Sequence, residues 1–158
     1  TLAFAQIVNG GKKIKPNIIY EEDKKDVKIP TLLAAQSHLK ILMKALDDAT
    51  NESGGTSYRS RILGDKKMAG KTGTSQVRVI SEKEREDGII KNKDLPWNKR
   101  DHGLYVGYGP SDKPKYAVSV IVEHGGSGSR SAAPIASKIF KFLFRKKMDI
   151  ERSIIINV

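Results

Sequence analysis

Met68-Ala69-Gly70-Lys71-Thr72-Gly73-Thr74-Ser75-Gln76-Val77 is the stretch on which the reading of this 158-residue chain turns. Its Gly-Lys-Thr invites a phosphate-binding loop, which needs a glycine, four residues, then Gly-Lys-Ser/Thr. Counting back from Gly70, the required glycine falls on Asp65, and Gly64 lies one residue too far away. An acidic side chain there would oppose a phosphate. Gln76-Val77-Arg78-Val79 then alternates like a strand, not like the helix whose N-terminus would hold the anion. The loop reading fails, and a strand over 68–77 is predicted.

A strand gives each residue type a chemical use. The Lys71 ammonium can hold a neighbouring hydroxyl and attract a carboxylate. The Thr72 hydroxyl can hydrogen-bond that carboxylate. Gly73 leaves the strand bare, so a flat acyl group can approach the backbone. A backbone N–H just beyond it can donate to the oxyanion of a tetrahedral intermediate, a contribution of ~3 kcal/mol to the barrier. By itself the tripeptide fits an ordinary exposed strand equally well.

Outward from this strand, the chain alternates between helical and extended patterns. Residues 1–8 read as a helix ended by Asn9-Gly10-Gly11. A short strand is predicted at Ile18-Ile19-Tyr20, followed by a charged loop. Pro30 opens an amphipathic helix over 31–49, with Leu32, Ala35, Leu39, Leu42 and Leu46 on its apolar face and Ser37, Lys44 and Asp48 opposite. Asn51–Thr56 is a turn. Residues 78–101 are polar, charged and without period, which predicts a long mobile loop whose Glu82, Glu84, Glu86 and Asp87 form a solvated face; Trp97 pins it to the domain. Gly103–Gly109 and Lys115–His124 form a hairpin, and Gly125–Ser131 a turn. A helix follows over 132–147, with Ser131 as N-cap, Ile135, Ile139, Phe142 and Leu143 as its buried stripe, and Arg145, Lys146 and Lys147 suiting its C-terminus. Ile154-Ile155-Ile156 suggests a terminal strand. The order predicts an α+β fold, an antiparallel sheet flanked by helices, in one domain.

Composition bounds the function. Hydrophobic residues make up 38% and charged residues 30%, the balance of a globular chain. No run approaches the ~18 apolar residues of a membrane helix, and no basic stretch leading into an apolar one gives a signal-peptide pattern within these residues. There is no cysteine, which excludes disulfides and thiolate metal sites. The net charge of +11 would suit phosphate polymers or anionic surfaces. However, the lysines fall in every segment, and aromatics, at 6%, are too sparse for the stacking stripe of a nucleic-acid binder. A basic nucleic-acid-binding module remains the alternative. His102 and His124, at strand ends, raise a metal site, but without fixed spacing or a cysteine no metal and no cofactor is expected. Gly125-Gly126-Ser127-Gly128 precedes a helix, but the dinucleotide glycine count fails at Ser131.

The longer context resembles one family. Residues 68–77, Asp94-Leu95-Pro96-Trp97, Arg100–Pro110 and Tyr116–Gly126 are similar to the class B penicillin-binding proteins, in particular their elongation-specific transpeptidases. Ala5–Gly11 and Gly54-Gly55-Thr56 resemble that family's helix end and turn, in the same order along the chain. The resemblance implies a partial penicillin-binding/serine β-lactamase-like transpeptidase fold, five antiparallel strands with helices in the intact domain. It implies cross-linking of peptidoglycan stem peptides through an acyl-serine, with β-lactams as inhibitors. Lys71 and Thr74 would be catalytic. Thr72, Gly73, Thr74 and Ser75 would bind substrate, with the Thr74 N–H as half of the oxyanion hole.

The family's Ser-x-x-Lys and Ser-x-Asn segments are not matched. Ser37-His38-Leu39-Lys40 has the letters of the first, but Ser37 is expected mid-helix on a polar face, not in a cleft. Residues 1–158 are therefore expected to be the C-terminal portion of a transpeptidase domain, inactive alone and prone to self-association. The intact parent would be anchored at the periplasmic face of the bacterial inner membrane, with a membrane glycosyltransferase as partner.

Overall fold

In the computed structural model, residues 1–16 and 35–155 are described, with side chains through residue 145. The predicted strand at 18–20 and the first residues of the predicted helix, including Leu32, lie outside them. Three antiparallel strands, β1 (Ala69–Ser75), β2 (His102–Gly109) and β3 (Tyr116–Val122), form a sheet in the order β1-β2-β3. Helices α1 (Leu2–Val8) and α2 (Gln36–Asn51) lie to one side, and α4 (Ala132–Ile155) covers the other. A short helix α3 (Glu82–Asp87) stands in the β1–β2 connection. The predicted sheet flanked by helices is what forms.

Strand register explains how the two faces differ. Gly70, Thr72 and Thr74 of β1 stand opposite Gly107, Tyr105 and Gly103 of β2, which stand opposite Val118, Val120 and Val122 of β3. Opposed residues share a face, and this one meets α4. The core there comprises Ile62, Met68, Tyr105, Val120, Ala132, Ala133, Ala136, Phe140 and Phe144. On the other face Val8, Ala69 and Tyr108 are buried together, with Phe4, Ile7, Met43 and Leu46 packed on them.

The glycines on the α4 face of β2 have a clear use. A Cβ on Gly103 would fall 2.0 Å from Ser131 Oγ, and one on Gly109 would fall 2.7 Å from Phe144 Cζ. One on Gly107 would meet the Tyr105 ring at 2.6 Å, and one on Gly70 the Tyr105 hydroxyl at 2.5 Å. The bare backbone of Gly70 and Gly107 thus lets the Tyr105 ring lie across the sheet, and that of Gly103 and Gly109 lets α4 sit close.

Several expectations are corrected. The helix predicted over 31–49 begins at Gln36 and ends at Asn51. Ser37 therefore occupies its first turn, exposed, and not mid-helix. Leu39 is buried and Leu46 half-buried, but Leu42 and Ala35 are exposed; Met43 and Thr50 complete the inner stripe. On α4 the predicted stripe is turned outward, with Ile135 42%, Ile139 37% and Phe142 66% exposed. Only Leu143 of that set packs against the core. Small Ala132, Ala133 and Ala136 face the sheet instead, because a close helix–sheet approach leaves no room for isoleucine.

Ser131 does not cap α4 with its side chain: its hydroxyl donates to Ser127 O (2.9 Å), while the Ala132 and Ala133 N–H groups donate to Gly128 O. The helix runs on through Ile155, so Ile154 and Ile155 are not a strand and Arg145, Lys146 and Lys147 are not at its end. The 78–101 segment is not structureless. It contains α3 and single turns of 3-10 helix at 92–94 and 97–99.

Candidate active-site strand

The outer edge of β1 carries the predicted site residues. Lys71, Thr74 and Ser75 are exposed, Thr72 and Gly73 half-buried. Along an antiparallel strand, backbone groups point alternately to the partner and away from it. Gly70 O accepts from the Thr50 hydroxyl (3.4 Å) and Met68 O from Asn51 Nδ2 (3.0 Å), both on α2. Met68 and Gly70 therefore point away from β2, and by the same parity so do Thr72 and Thr74. Lys71 Nζ donates to the outward Thr72 O at 2.9 Å. Thr72 Oγ1 donates to Thr56 Oγ1 at 3.0 Å, across from the turn that follows α2. One cation, several hydroxyls and an outward N–H thus line one strand edge.

Gly73 is held from behind. A Cβ on Gly128 would sit 2.4 Å from Gly73 O and 2.2 Å from Leu104 O, so the β3–α4 turn crosses the Gly73–Leu104 pair with backbone on backbone. A Cβ on Gly73 itself would point to the opposite face and meet only the Leu104 side chain, nearest at 3.3 Å.

Beneath the edge lies a buried hydroxyl cluster. Thr50 Oγ1 is 3.0 Å from Ser57 Oγ and 3.5 Å from Tyr105 Oη. Burial pushes the Tyr105 phenol up to about 12, against the smaller opposing effect of its hydrogen bonds to Thr50 and Ser57. Tyr108, buried on the other face, is likewise pushed up to about 12, first by burial and then by Asp47 and Tyr105.

Beyond β1 the connection is tied down at both ends. Asp101 Oδ1 accepts from the Val77 N–H (3.3 Å) and Oδ2 from Asn92 Nδ2 (2.8 Å), while the Asp101 N–H donates to Asn92 Oδ1 (2.8 Å). Arg78 pairs with Glu84 through two hydrogen bonds. These hydrogen bonds hold the Glu84 carboxyl down at about 2, so Glu84 is an exception to the predicted solvated acidic face. Trp97, 62% exposed, meets His124 edge-on at 4.5 Å between ring centroids.

His102 and His124 do come together, at 4.7 Å, but as neighbours in the packing. His102 Nδ1 accepts from the His124 N–H (2.9 Å), and His124 Nδ1 is 2.9 Å from Arg100 O. His38 is remote from them on α2, and among the described residues no group of three potential ligands could hold a metal ion. A cavity of about 340 Å³ under the connection is lined by Gln76, Arg78, Ile89, Ile90 and Asp101, among others. Sequence reasoning missed Thr56, Asp101 and Gly128 as neighbours of this strand. All three lie in turns or loops, where spacing carries no register. No helix among the described residues is long and apolar enough to cross a membrane.

Comparison with known proteins shows the family. Residues 2–141 match the family model for the penicillin binding protein transpeptidase domain. The peptidoglycan D,D-transpeptidase MrdA of Salmonella typhimurium is 30% identical over 156 residues, covering 93% of this chain. The Acinetobacter baumannii MrdA is 37% identical over 112 residues, 69% of this chain and 15% of that protein. The chain spans 24% of the length of the Salmonella relative. Among solved structures, PBP2 from Helicobacter pylori, in complex with MreC, aligns with a TM-score of 0.71 at 26% identity, covering 91% of this chain and 24% of that one. Pseudomonas aeruginosa PBP2 in complex with WCK 5153 aligns at 0.67 and 25% identity, covering 88% and 28%. The nucleic-acid-binding alternative finds no support among these relatives. This chain belongs to the penicillin-binding protein transpeptidase family, of whose domain it is a part.

Proposed function

We propose that the chain supplies the Lys-Thr-Gly strand of a peptidoglycan D,D-transpeptidase, and that residues 1–158 are the C-terminal portion of its transpeptidase domain. One observation carries this reading: Lys71, Thr72 and Thr74 lie along one strand edge, without a strand partner among the described residues, whose backbone parity turns the Thr74 N–H outward. The substrate carboxylate of a stem peptide, or that of a β-lactam, sits against the Lys71 ammonium and the Thr72 and Thr74 hydroxyls. The acyl carbonyl lies over Gly73 and Ser75, and its developing oxyanion accepts from the Thr74 N–H. Lys71 also orients a serine outside this chain. The nucleophile comes from an upstream Ser-x-x-Lys segment; the chain by itself does not transfer acyl groups.

Two surfaces fit a piece of a larger domain. The outer face of α4 exposes Ile135, Ile139 and Phe142 among Lys138 and Lys141, more apolar surface than a helix facing only water needs. The outer edge of β3 has no strand partner among the described residues and suits the remaining strands of a five-stranded sheet. The same surfaces explain the expected self-association of the chain alone. The parent works at the periplasmic face of the inner membrane, with MreC, as seen for the Helicobacter protein, and a membrane glycosyltransferase as partners. The test is fluorescent-penicillin labelling. The full-length protein labels and the isolated chain does not; Lys71→Ala in the full-length protein lowers labelling by ~100-fold, the scale of one removed transition-state group. Unchanged labelling of Lys71→Ala, or labelling of the isolated chain at Ser37, overturns the proposal.

A further inference from the structure

We propose that Thr56 is a positioning residue of the carboxylate site, acting through Thr72; the inference rests on the function proposed above. Thr72 is a hydroxyl with one proton, and that proton is directed at Thr56 Oγ1, 3.0 Å away. Thr56 therefore decides where the Thr72 donor points. When a carboxylate lies against β1, the Thr72 proton turns to the anion, and the Thr56 hydroxyl, rotated from its present orientation, donates to Thr72 Oγ1 in return. A hydroxyl that both accepts and donates is required at position 56. A methyl or valine side chain offers neither role and leaves Thr72 free to adopt other rotamers.

The surroundings of Thr56 show that its place is built. The turn from Glu52 to Ser57 folds back on the end of α2. The Ser57 N–H and Ser57 Oγ both donate to Ala49 O at 3.0 Å, and Ser57, 1% exposed, also meets Thr50. Gly55 lies so close to α2 that a Cβ would stand 2.5 Å from Ala49 O, and Gly54 has a φ of +90°, where side chains are strained. Thr56 is held between the crowded Gly55 and the buried Ser57, and it projects to the edge of β1. The cluster that anchors Ser57 includes Tyr105, the residue opposite Thr72 in the sheet. The turn and the strand are thus fixed to one another twice, from below through Tyr105 and at the edge through Thr56.

The experiment measures acylation of the full-length protein by fluorescent penicillin in Thr56→Val, Thr56→Ser and Lys71→Ala, with thermal midpoints on the same samples. Thr56→Val is expected to lower the second-order acylation rate by ~10-fold, the scale of one hydrogen bond to a charged group. The loss lies in the concentration for half-maximal rate more than in the limiting rate, because the carboxylate is held in the ground state too. Thr56→Ser restores the rate to within ~2-fold, with midpoints of both variants unchanged. Wild-type kinetics in Thr56→Val overturn the inference. So does a rate loss in Thr56→Ser equal to that in Thr56→Val, or a loss that tracks the thermal midpoint. Lys71→Ala separates the levels: if it acylates normally the proposed function fails, and if it alone is impaired only the role of Thr56 fails.

Discussion

Gly128→Ala tests whether the active-site strand is held from behind by backbone contact. The new Cβ would lie 2.2 Å from Leu104 O, 2.4 Å from Gly73 O and 3.1 Å from Gly73 N. All three are backbone atoms of one antiparallel pair, so no side chain can swing aside. Relief requires lifting the turn or breaking the Gly73–Leu104 rung. Overpacking of this kind costs about 1–3 kcal/mol, and each ladder hydrogen bond lost adds about 0.5–1.5 kcal/mol. A destabilisation of about 3 kcal/mol follows, which at 2–4 °C per kcal/mol lowers the melting temperature by roughly 6–12 °C. Gly73→Ala is the paired control. Its Cβ points to the other face and meets the Leu104 side chain at 3.3 Å, which can yield, so its cost stays below ~1 kcal/mol while acylation is lost. Thermal unfolding of the isolated chain followed by circular dichroism reads stability, and penicillin labelling of the full-length protein with the same substitutions reads acylation. A Gly128→Ala protein melting within ~2 °C of wild type would refute the backbone clamp.

Other perturbations act on separate parts of the fold. Phe140→Ala removes a fully buried ring and should cost about 3–5 kcal/mol, whereas Phe142→Ser, on the exposed side of α4, should stay within ~0.5 kcal/mol in the isolated chain and reduce its self-association by light scattering. Glu84 has a carboxyl held down at about 2, below its unfolded value near ~4.3. The Arg78 pair therefore contributes stability above that unfolded value, and the contribution is lost as pH falls toward about 2; Glu84→Gln should flatten this acid limb in denaturation curves. Tyr105 runs the other way. Its phenol is raised to about 12, so the folded state keeps a proton that the unfolded chain gives up near ~10. Stability should fall as pH rises from there toward about 12, less steeply in Tyr105→Phe, with phenolate absorbance as the check.

The sheet was legible because its signals are local. Met68–Val77 and the two halves of the hairpin alternate or carry glycine at fixed spacing; β1 and β3 form within those limits, and β2 starts one residue earlier, at His102. The helices were legible only as helices. On α4, hydrophobicity selects Ile135, Ile139 and Phe142, but the partner surface is a row of glycines that admits alanine and two phenylalanines. Which stripe goes inward is decided by the shape of the opposing sheet, and that information lies some thirty residues upstream. For α3 the signal lies in the sequence itself. Ser81-Glu82-Lys83-Glu84 has the spacing of a capping box, and Ser81 Oγ accepts from the Glu84 N–H at 3.2 Å. The Ile154–Ile155 run shows the opposite error, a β-branched pair kept in a helix by the turns before it. At the site, the composition of β1 pointed to a carboxylate edge, but Thr56 could not be paired with Thr72 from spacing, since a turn sets no period.

The distribution of glycine divides the labour between the two sides of β1. Behind it, Gly70 and Gly107 make room for the Tyr105 ring, and Gly103 and Gly128 admit the β3–α4 turn. These contacts are backbone, the fully buried Tyr105 ring and the half-buried Ser131 hydroxyl, so the strand is held on this side by groups with little room to move. Along the outer edge, Lys71, Thr74 and Ser75 are exposed, and the Thr72 hydroxyl donates to Thr56 Oγ1. A strand that must present an N–H and a hydroxyl to a reacting carboxyl group needs this asymmetry, because donors fixed to within a fraction of an ångström require support they do not themselves provide. Substitutions at the packed glycine contacts should therefore report as lost stability, and those along the exposed edge as lost acylation with the fold intact. The Gly128 and Gly73 variants sample the two sides of one peptide pair.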